Sequence, residues 1–120
     1  MCILVVEDDA LIRMILVEEL LDAGYEVQDA ETGDAAVNLL ERVSPEIEVL
    51  VTDIHMPGTH DGLELASHFR TRFPDAPIIY TTGRPDALRH LNKLDDRQVL
   101  VRKPYVPSQI IERIRGLLEA

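Results

Sequence analysis

Short apolar runs alternate with longer amphipathic stretches along this chain of 120 residues. "CILVV", from Cys2, is a continuous apolar run of strand length, the pattern of a strand covered on both faces. From Leu11 the period becomes helical, with Leu11, Ile12, Ile15, Leu16 and Leu20 read as one inner face and Gly24 as the stop. "YEVQDA" alternates and predicts a second strand. Asp34 to Val43 predicts a helix with Ala36, Val37, Leu40 and Val43 inward, ended by Ser44 and Pro45. "IEVLV" predicts a third strand. Asp61 is placed to cap the next helix, with Glu64 completing a capping-box-like pair and Leu63, Leu65, Ala66 and Phe69 inside. "PIIYT" predicts a fourth strand, Pro85 to about Leu94 a weaker helix with Leu88 and Leu91 inward, and "QVLVR" a fifth strand. Pro107 opens a last helix whose inner face is Ile110, Ile111, Ile114, Leu117 and Leu118.

Strands alternating with helices in this way predict an α/β domain, a parallel sheet covered on both faces and joined by right-handed crossovers. The length suits one domain over residues 1–120, with no internal repeat. Hydrophobic residues make up 46% of the chain and aromatic ones 4%, so the core is aliphatic. The formal net charge of -10 disfavours direct binding to a nucleic-acid backbone, which needs clustered Lys and Arg. Cys2 is the lone cysteine, which excludes an internal disulfide and fits a reduced, cytoplasmic setting. No apolar run approaches a membrane span, and no signal-peptide pattern is present. The chain starts almost directly with a strand, so an excised domain and a complete small protein are both open.

In open parallel sheets, ligands bind beyond the carboxyl ends of the strands. The first strand ends in Glu7, Asp8 and Asp9, the third in Asp53, the fourth in Thr81, Thr82 and Gly83, and the fifth in Lys103 and Pro104. Asp9 reads best as the cap of the first helix. Like charges gathered at one edge cost stability unless a cation joins them or a pKa rises. Lys103 supplies one positive charge, and carboxylates with waters suit Mg²⁺ as another. A carboxylate beside Mg²⁺ can attack a phosphoryl group and form an acyl phosphate. A metal, an ammonium and a hydroxyl could then hold the three phosphoryl oxygens. The break in "TDIHMPGTHDG" after the third strand is expected to leave Asp53 exposed and a loop carbonyl free for the metal.

Taken in order, "VVEDD", "VTDIHMPGTHDG", "YTTG" and "VRKPY" resemble the bacterial two-component receiver domain, the CheY-like response-regulator family, over essentially the whole chain. The resemblance implies a flavodoxin-like (βα)5 three-layer sandwich with strand order 2-1-3-4-5. It implies that Asp53 is the phospho-acceptor, Asp8 the direct metal carboxylate, Glu7 its partner through water, and the carbonyl of His55 the remaining protein ligand of Mg²⁺. Thr82 takes the place of the switch hydroxyl and Lys103 that of the family lysine, with a cis bond to Pro104. His55 and Arg84 stand where the family tunes hydrolysis of the aspartyl phosphate; Asp9 and Thr81 align with positions of no such role. The implied partners are a sensor histidine kinase or histidine phosphotransfer protein, and a downstream protein or attached effector domain. Autodephosphorylation is implied, and no separate enzyme activity. Output would use the surface of the 85–94 helix, the fifth strand and the last helix.

Four departures stand out. "MPGTHDG" is one residue longer than the commonest "MPGxDG" form. Leu100 replaces the switch aromatic, "KLDDRQ" replaces the usual Ala-Gly-Ala, and Arg84-Pro85 falls where the weaker helix begins. A Mg²⁺-dependent phosphatase of the haloacid-dehalogenase kind would want a second acid two residues after its nucleophile, where His55 stands. A receiver working without phosphorylation is disfavoured, since every residue for the chemistry is present.

Overall fold

The computed structural model describes residues 2–42, 46–56, 58, 61–84 and 94–119. Side-chain alternation along its strands separates two aliphatic cores. In β1 (Cys2–Val6), Leu4 and Val6 face one way and Ile3 and Val5 the other. The same division runs through β3 (Ile47–Asp53), with Leu50 on one side and Val49 and Val51 on the other, and through β4 (Ile78–Thr82), with Ile78 and Tyr80 opposite Ile79. β2 (Glu26–Ala30) and β5 (Gln98–Arg102) complete a five-stranded sheet of order β2-β1-β3-β4-β5. All four pairings are parallel. Both the sheet order and the layering are those expected.

The first core receives Ala36, Val37 and Leu40 from α2 (Gly33–Arg42) and Leu65, Ala66 and Phe69 from α3 (Gly62–Arg72). The second receives Leu16 and Leu20 from α1 (Ala10–Asp22) and Ile110, Ile114 and Leu117 from α4 (Pro107–Glu119). These are the four helices among the described residues. The helix expected from Pro85 to Leu94 falls on residues 85–93, outside them, as do Val43, Ser44 and Pro45; Leu94 itself is not helical.

Helix starts follow their caps. Asp9 Oδ1 accepts from the N–H groups of Leu11 and Ile12 at 3.0 and 3.1 Å, Thr32 Oγ1 from Ala35 at 3.0 Å, and Asp61 Oδ1 from Glu64 at 2.9 Å. Each satisfies donors that a first turn leaves open. One inner face differs from expectation. Leu11 and Ile15 are 64% and 44% exposed, and the buried residues of α1 are Leu16 and Leu20. In "ALIRMILVEELLD" apolar residues surround much of the helix, so periodicity does not single out the side that meets the sheet.

Two glycines have opposite surroundings. A Cβ on Gly62, the first residue of α3, would stand 2.1 Å from the carbonyl oxygen of Asp53 and 2.7 Å from Cα of Ile54. The Gly62 N–H also donates to the Ile54 carbonyl at 2.9 Å. The start of α3 therefore rests directly on the backbone that ends β3. Gly116 of α4 has nothing within 4 Å of its Cβ position. Gly62→Ala should lower stability in urea unfolding by about 2 kcal/mol or more, as overpacking against backbone does. Gly116→Ala should raise it by up to about 1 kcal/mol through helix propensity.

Candidate functional site

The carboxyl ends of β1, β3, β4 and β5 meet along one edge, and main-chain bonds set their mutual positions. The Ile54 N–H donates to Thr81 O at 3.0 Å, and the Lys103 N–H to Thr82 O at 2.7 Å. Asp53 is opposite Thr81 in the register, and Thr82 is opposite Arg102. One residue past each strand end, Glu7 and Lys103 reach the same place as Asp53. Lys103 Nζ lies 2.8 Å from Asp53 Oδ2, to which it donates, and 2.7 Å from Glu7 Oε1. The Lys103–Pro104 peptide is cis, as expected.

Asp53 is the last residue of β3 and is 6% exposed, so it forms the floor of the site. This corrects the expectation of an exposed carboxylate. Burial follows because the strand continues two residues beyond Val51 and the start of α3 closes over its backbone. Glu7 is 2% exposed, whereas Asp8 is exposed. Carboxylate oxygens of Glu7, Asp8 and Asp53 all lie within 4.8 Å of one another. Glu7 Oε1 pairs with the Lys103 ammonium at 2.7 Å, and that one ammonium is shared with Asp53, so the three carboxylates outnumber the cation that faces them. Hard oxygen donors gathered within reach of one ion and an excess of negative charge together fit a hard divalent cation.

The electrostatics show the strain of gathering these groups. Burial pushes the Glu7 carboxyl up to about 7, the neighbouring Asp8 and Asp53 carboxylates act in the same direction, and Lys103 opposes them. Burial alone would lower Lys103, but its bonds to Asp53 and Glu7 outweigh burial and hold it above the ordinary lysine range. Tyr105 is pushed up to about 12, first by burial and then by the charge of Glu7.

Thr82 is buried, and its hydroxyl is engaged within its own loop. Oγ1 accepts from the Arg84 N–H at 3.0 Å and is 3.4 Å from the Arg84 carbonyl, to which it donates. The His55 N–H points back to Asp53 Oδ1 at 3.4 Å. Leu100 is partly buried in the first core, opposite Tyr80 in the register. The structure thus brings together Glu7, Asp8, Asp53 and Lys103, places Thr82 on the adjoining strand end, and leaves Asp9 as a cap.

Two contributors escape sequence reasoning. Gly62 supports the Asp53 backbone, and its one signal is its place directly after a capping Asp. Arg13, in α1, donates from Nη1 to the Glu7 carbonyl at 2.7 Å, and its Nε is 3.2 Å from Asp29 Oδ2. An arginine one turn into a helix gives no sequence signal of such a contact.

The family model of the response regulator receiver domain matches residues 3–115. The chain is 34% identical over 119 residues to response regulator MprA of Mycobacterium leprae (strain TN), covering 98% of this chain and 51% of that protein. It is 30% identical over 118 residues to sensor kinase CckA of Brucella abortus (strain 2308), covering 98% of this chain and 12% of that protein. The solved structure of response regulator TrrA from Thermotoga maritima, in complex with Mg²⁺-BeF, superposes with a TM-score of 0.80 at 34% identity and covers 97% of each chain. The chain belongs to the response regulator receiver domain family, signalling modules of bacterial two-component systems. It spans about half of one curated relative and a small part of the other. Among the described residues, no helix is long and apolar enough to cross a membrane.

The raised Glu7 carboxyl has a testable consequence. Its folded value, about 7, lies above its ordinary 4.5. Its contribution to metal-free stability is therefore fully present below about 4.5 and is lost as pH rises through about 7. In EDTA, Glu7→Gln should be more stable than the wild type at pH 8, by on the order of 2 kcal/mol. The difference should shrink towards zero by pH 5. Urea unfolding of both proteins across this range measures it.

Proposed function

We propose that Asp53 accepts a phosphoryl group from a phosphohistidine on a sensor histidine kinase or histidine phosphotransfer protein. The observation that carries this reading is the Lys103 ammonium between Asp53 Oδ2 and Glu7 Oε1, with Asp8 completing a three-carboxylate cluster at the strand ends. In the transfer, a carboxylate oxygen of Asp53 forms the new O–P bond while the N–P bond of the donor breaks, and the electron pair stays on the imidazole nitrogen. Lys103 holds the carboxylate before transfer and a phosphoryl oxygen after it. Thr82 exchanges its bonds to Arg84 for a second phosphoryl oxygen. Glu7, Asp8 and Asp53, with the main-chain carbonyl of His55, hold Mg²⁺. When bound, this ion neutralises charge that gathers on the phosphoryl oxygens during transfer. The Mg²⁺-BeF complex of TrrA supports the metal assignment by likeness.

Loss of the Thr82–Arg84 bonds on phosphorylation reshapes the segment after β4, and through it the output surface formed with β5 and α4. The target of that surface is a downstream protein or an attached effector domain. The phosphodonor approaches from the other side of the cleft. Leu11, Met14 and Ile15, in the first two turns after Asp8 and Asp9, are 64%, 53% and 44% exposed, and Val106, three residues after Lys103, is 57% exposed. A donor that brings its histidine to Asp53 must cover the elements framing the cleft, and these apolar side chains supply its contact. The family likeness to a sensor kinase supports such a partner.

Acetyl phosphate with Mg²⁺ should add one phosphoryl group to the wild type by mass spectrometry, and none with EDTA or in Asp53→Asn. Full addition in Asp53→Asn would overturn the assignment. In the same assay, His55→Ala and Arg84→Ala should each change the decay rate of the phosphorylated protein several-fold; equal decay in all three proteins removes their tuning role. Leu11→Glu with Ile15→Glu should slow transfer from a phosphorylated histidine protein at least about tenfold, the scale of an interface hot spot. Uptake from acetyl phosphate should be unaffected. Equal slowing with both donors would contradict docking on α1.

A further inference from the structure

We propose that Arg13 is a positioning residue for the metal-binding carboxylates, acting through the peptide plane between Glu7 and Asp8; the proposal rests on the reading above in which these residues hold Mg²⁺. Asp8 is the exposed member of the cluster, unlike Glu7 and Asp53. Its direction therefore depends on how its backbone is held. The carbonyl of Glu7 and the N–H of Asp8 belong to one rigid planar unit. Arg13 Nη1 grips that carbonyl at 2.7 Å.

The rest of the turn is fixed around this point. The Glu7 N–H donates to Ala30 O at 3.1 Å, and the Asp9 N–H to Glu7 Oε2 at 3.4 Å. Asp9 is held in turn by its capping bonds to α1. Arg13 is thus the side chain that holds the plane preceding Asp8. It is itself pinned, with its side chain 17% exposed and its Nε 3.2 Å from Asp29 Oδ2 of β2. The guanidinium thus joins the edge strand to the metal-binding turn. Partners of this kind, which orient ligands without touching the ion, commonly contribute 10–100-fold to metal affinity.

Charge and positioning make opposite predictions. A guanidinium near three carboxylates repels an incoming cation, so its removal would tighten Mg²⁺ binding by Coulomb's law alone. Loss of a positioner weakens binding instead. The test is calorimetric titration of the metal-free full chain with MgCl₂, comparing Arg13→Gln with Arg13→Met. Both variants are neutral and of similar length, but only Gln can donate to the Glu7 carbonyl. The expected result is an Mg²⁺ dissociation constant raised about tenfold in Arg13→Met and within about threefold of wild type in Arg13→Gln. Arg13→Ala is a second variant without a donor, should Arg13→Met not fold. Equal affinities in the donor and donor-less variants, with or without a loss of thermal stability, would overturn the proposal, as would tighter binding in both. A wild type that binds no Mg²⁺ would instead sink the metal reading itself, and this proposal with it.

Discussion

Everything at the upper edge of this sheet depends on one electrostatic constraint. Three carboxylates converge within 4.8 Å, and a single ammonium stands among them. Left to themselves, Glu7, Asp8 and Asp53 would separate into solvent. The aliphatic layers on both sides of the sheet prevent this, because β1 and β3 are fixed side by side by Leu4, Val6 and Leu50 on one face and Ile3, Val5 and Val51 on the other. Hydrophobic burial thus holds the charges together. The cost appears in Glu7, whose carboxyl is pushed above the ordinary glutamate range, first by burial. The site is therefore arranged for more positive charge than the chain itself supplies, a demand that the proposed Mg²⁺ would meet.

Main-chain bonds then carry the same constraint across the sheet. Ile54 is tied to Thr81, and Lys103 to Thr82, so Asp53, Thr82 and Lys103 sit on three consecutive strands linked at the point where each ends. On the face below Thr82 the ring belongs to Tyr80 of β4, whose hydroxyl accepts from Gln98 Nε2 at 3.0 Å. Leu100 pairs with it across the strands. The aromatic group on this part of the first core therefore stands on the same strand as Thr82, two residues away, and not on β5. The start of β5 is anchored separately: Arg70 donates to both oxygens of Asp95 at 2.7 and 3.3 Å, and Arg97 to the carbonyls of Asp75 and Leu117.

Where one physical rule governs an element, the sequence was sufficient to read it. Four apolar runs and the alternation of "YEVQDA" located the five strands, and Asp9, Asp61 and Pro107 marked helix starts because capping and proline geometry are local effects. Glu7, Asp8, Asp53 and Lys103 were legible as a cluster because strand ends in a parallel sheet share an edge. Local rules failed where the deciding neighbour is distant. The face of α1 could not be read from a helix apolar on most sides. The burial of Asp53 depends on α3 closing over it. Arg13 acts on Glu7 and Asp29, and Gly62 on Asp53 and Ile54, through contacts that exist only after the sheet and helices have packed.

The contact between Gly62 and the end of β3 also bears on the unusual length of the segment that follows Asp53. Its two ends are fixed, since the Gly62 N–H meets the Ile54 carbonyl and there is no space between the backbones. The Gly62–Ile54 bond closes the intervening chain into a ring, and ring-closure entropy grows only as the logarithm of length. Enlarging such a ring from six residues to seven costs about 0.1 kcal/mol. An insertion on the far side of the closure therefore leaves β3 where it was. The chain can therefore differ in length here at almost no cost to the backbone beneath Asp53, because both anchors of the segment are set by packing that the added residue does not touch.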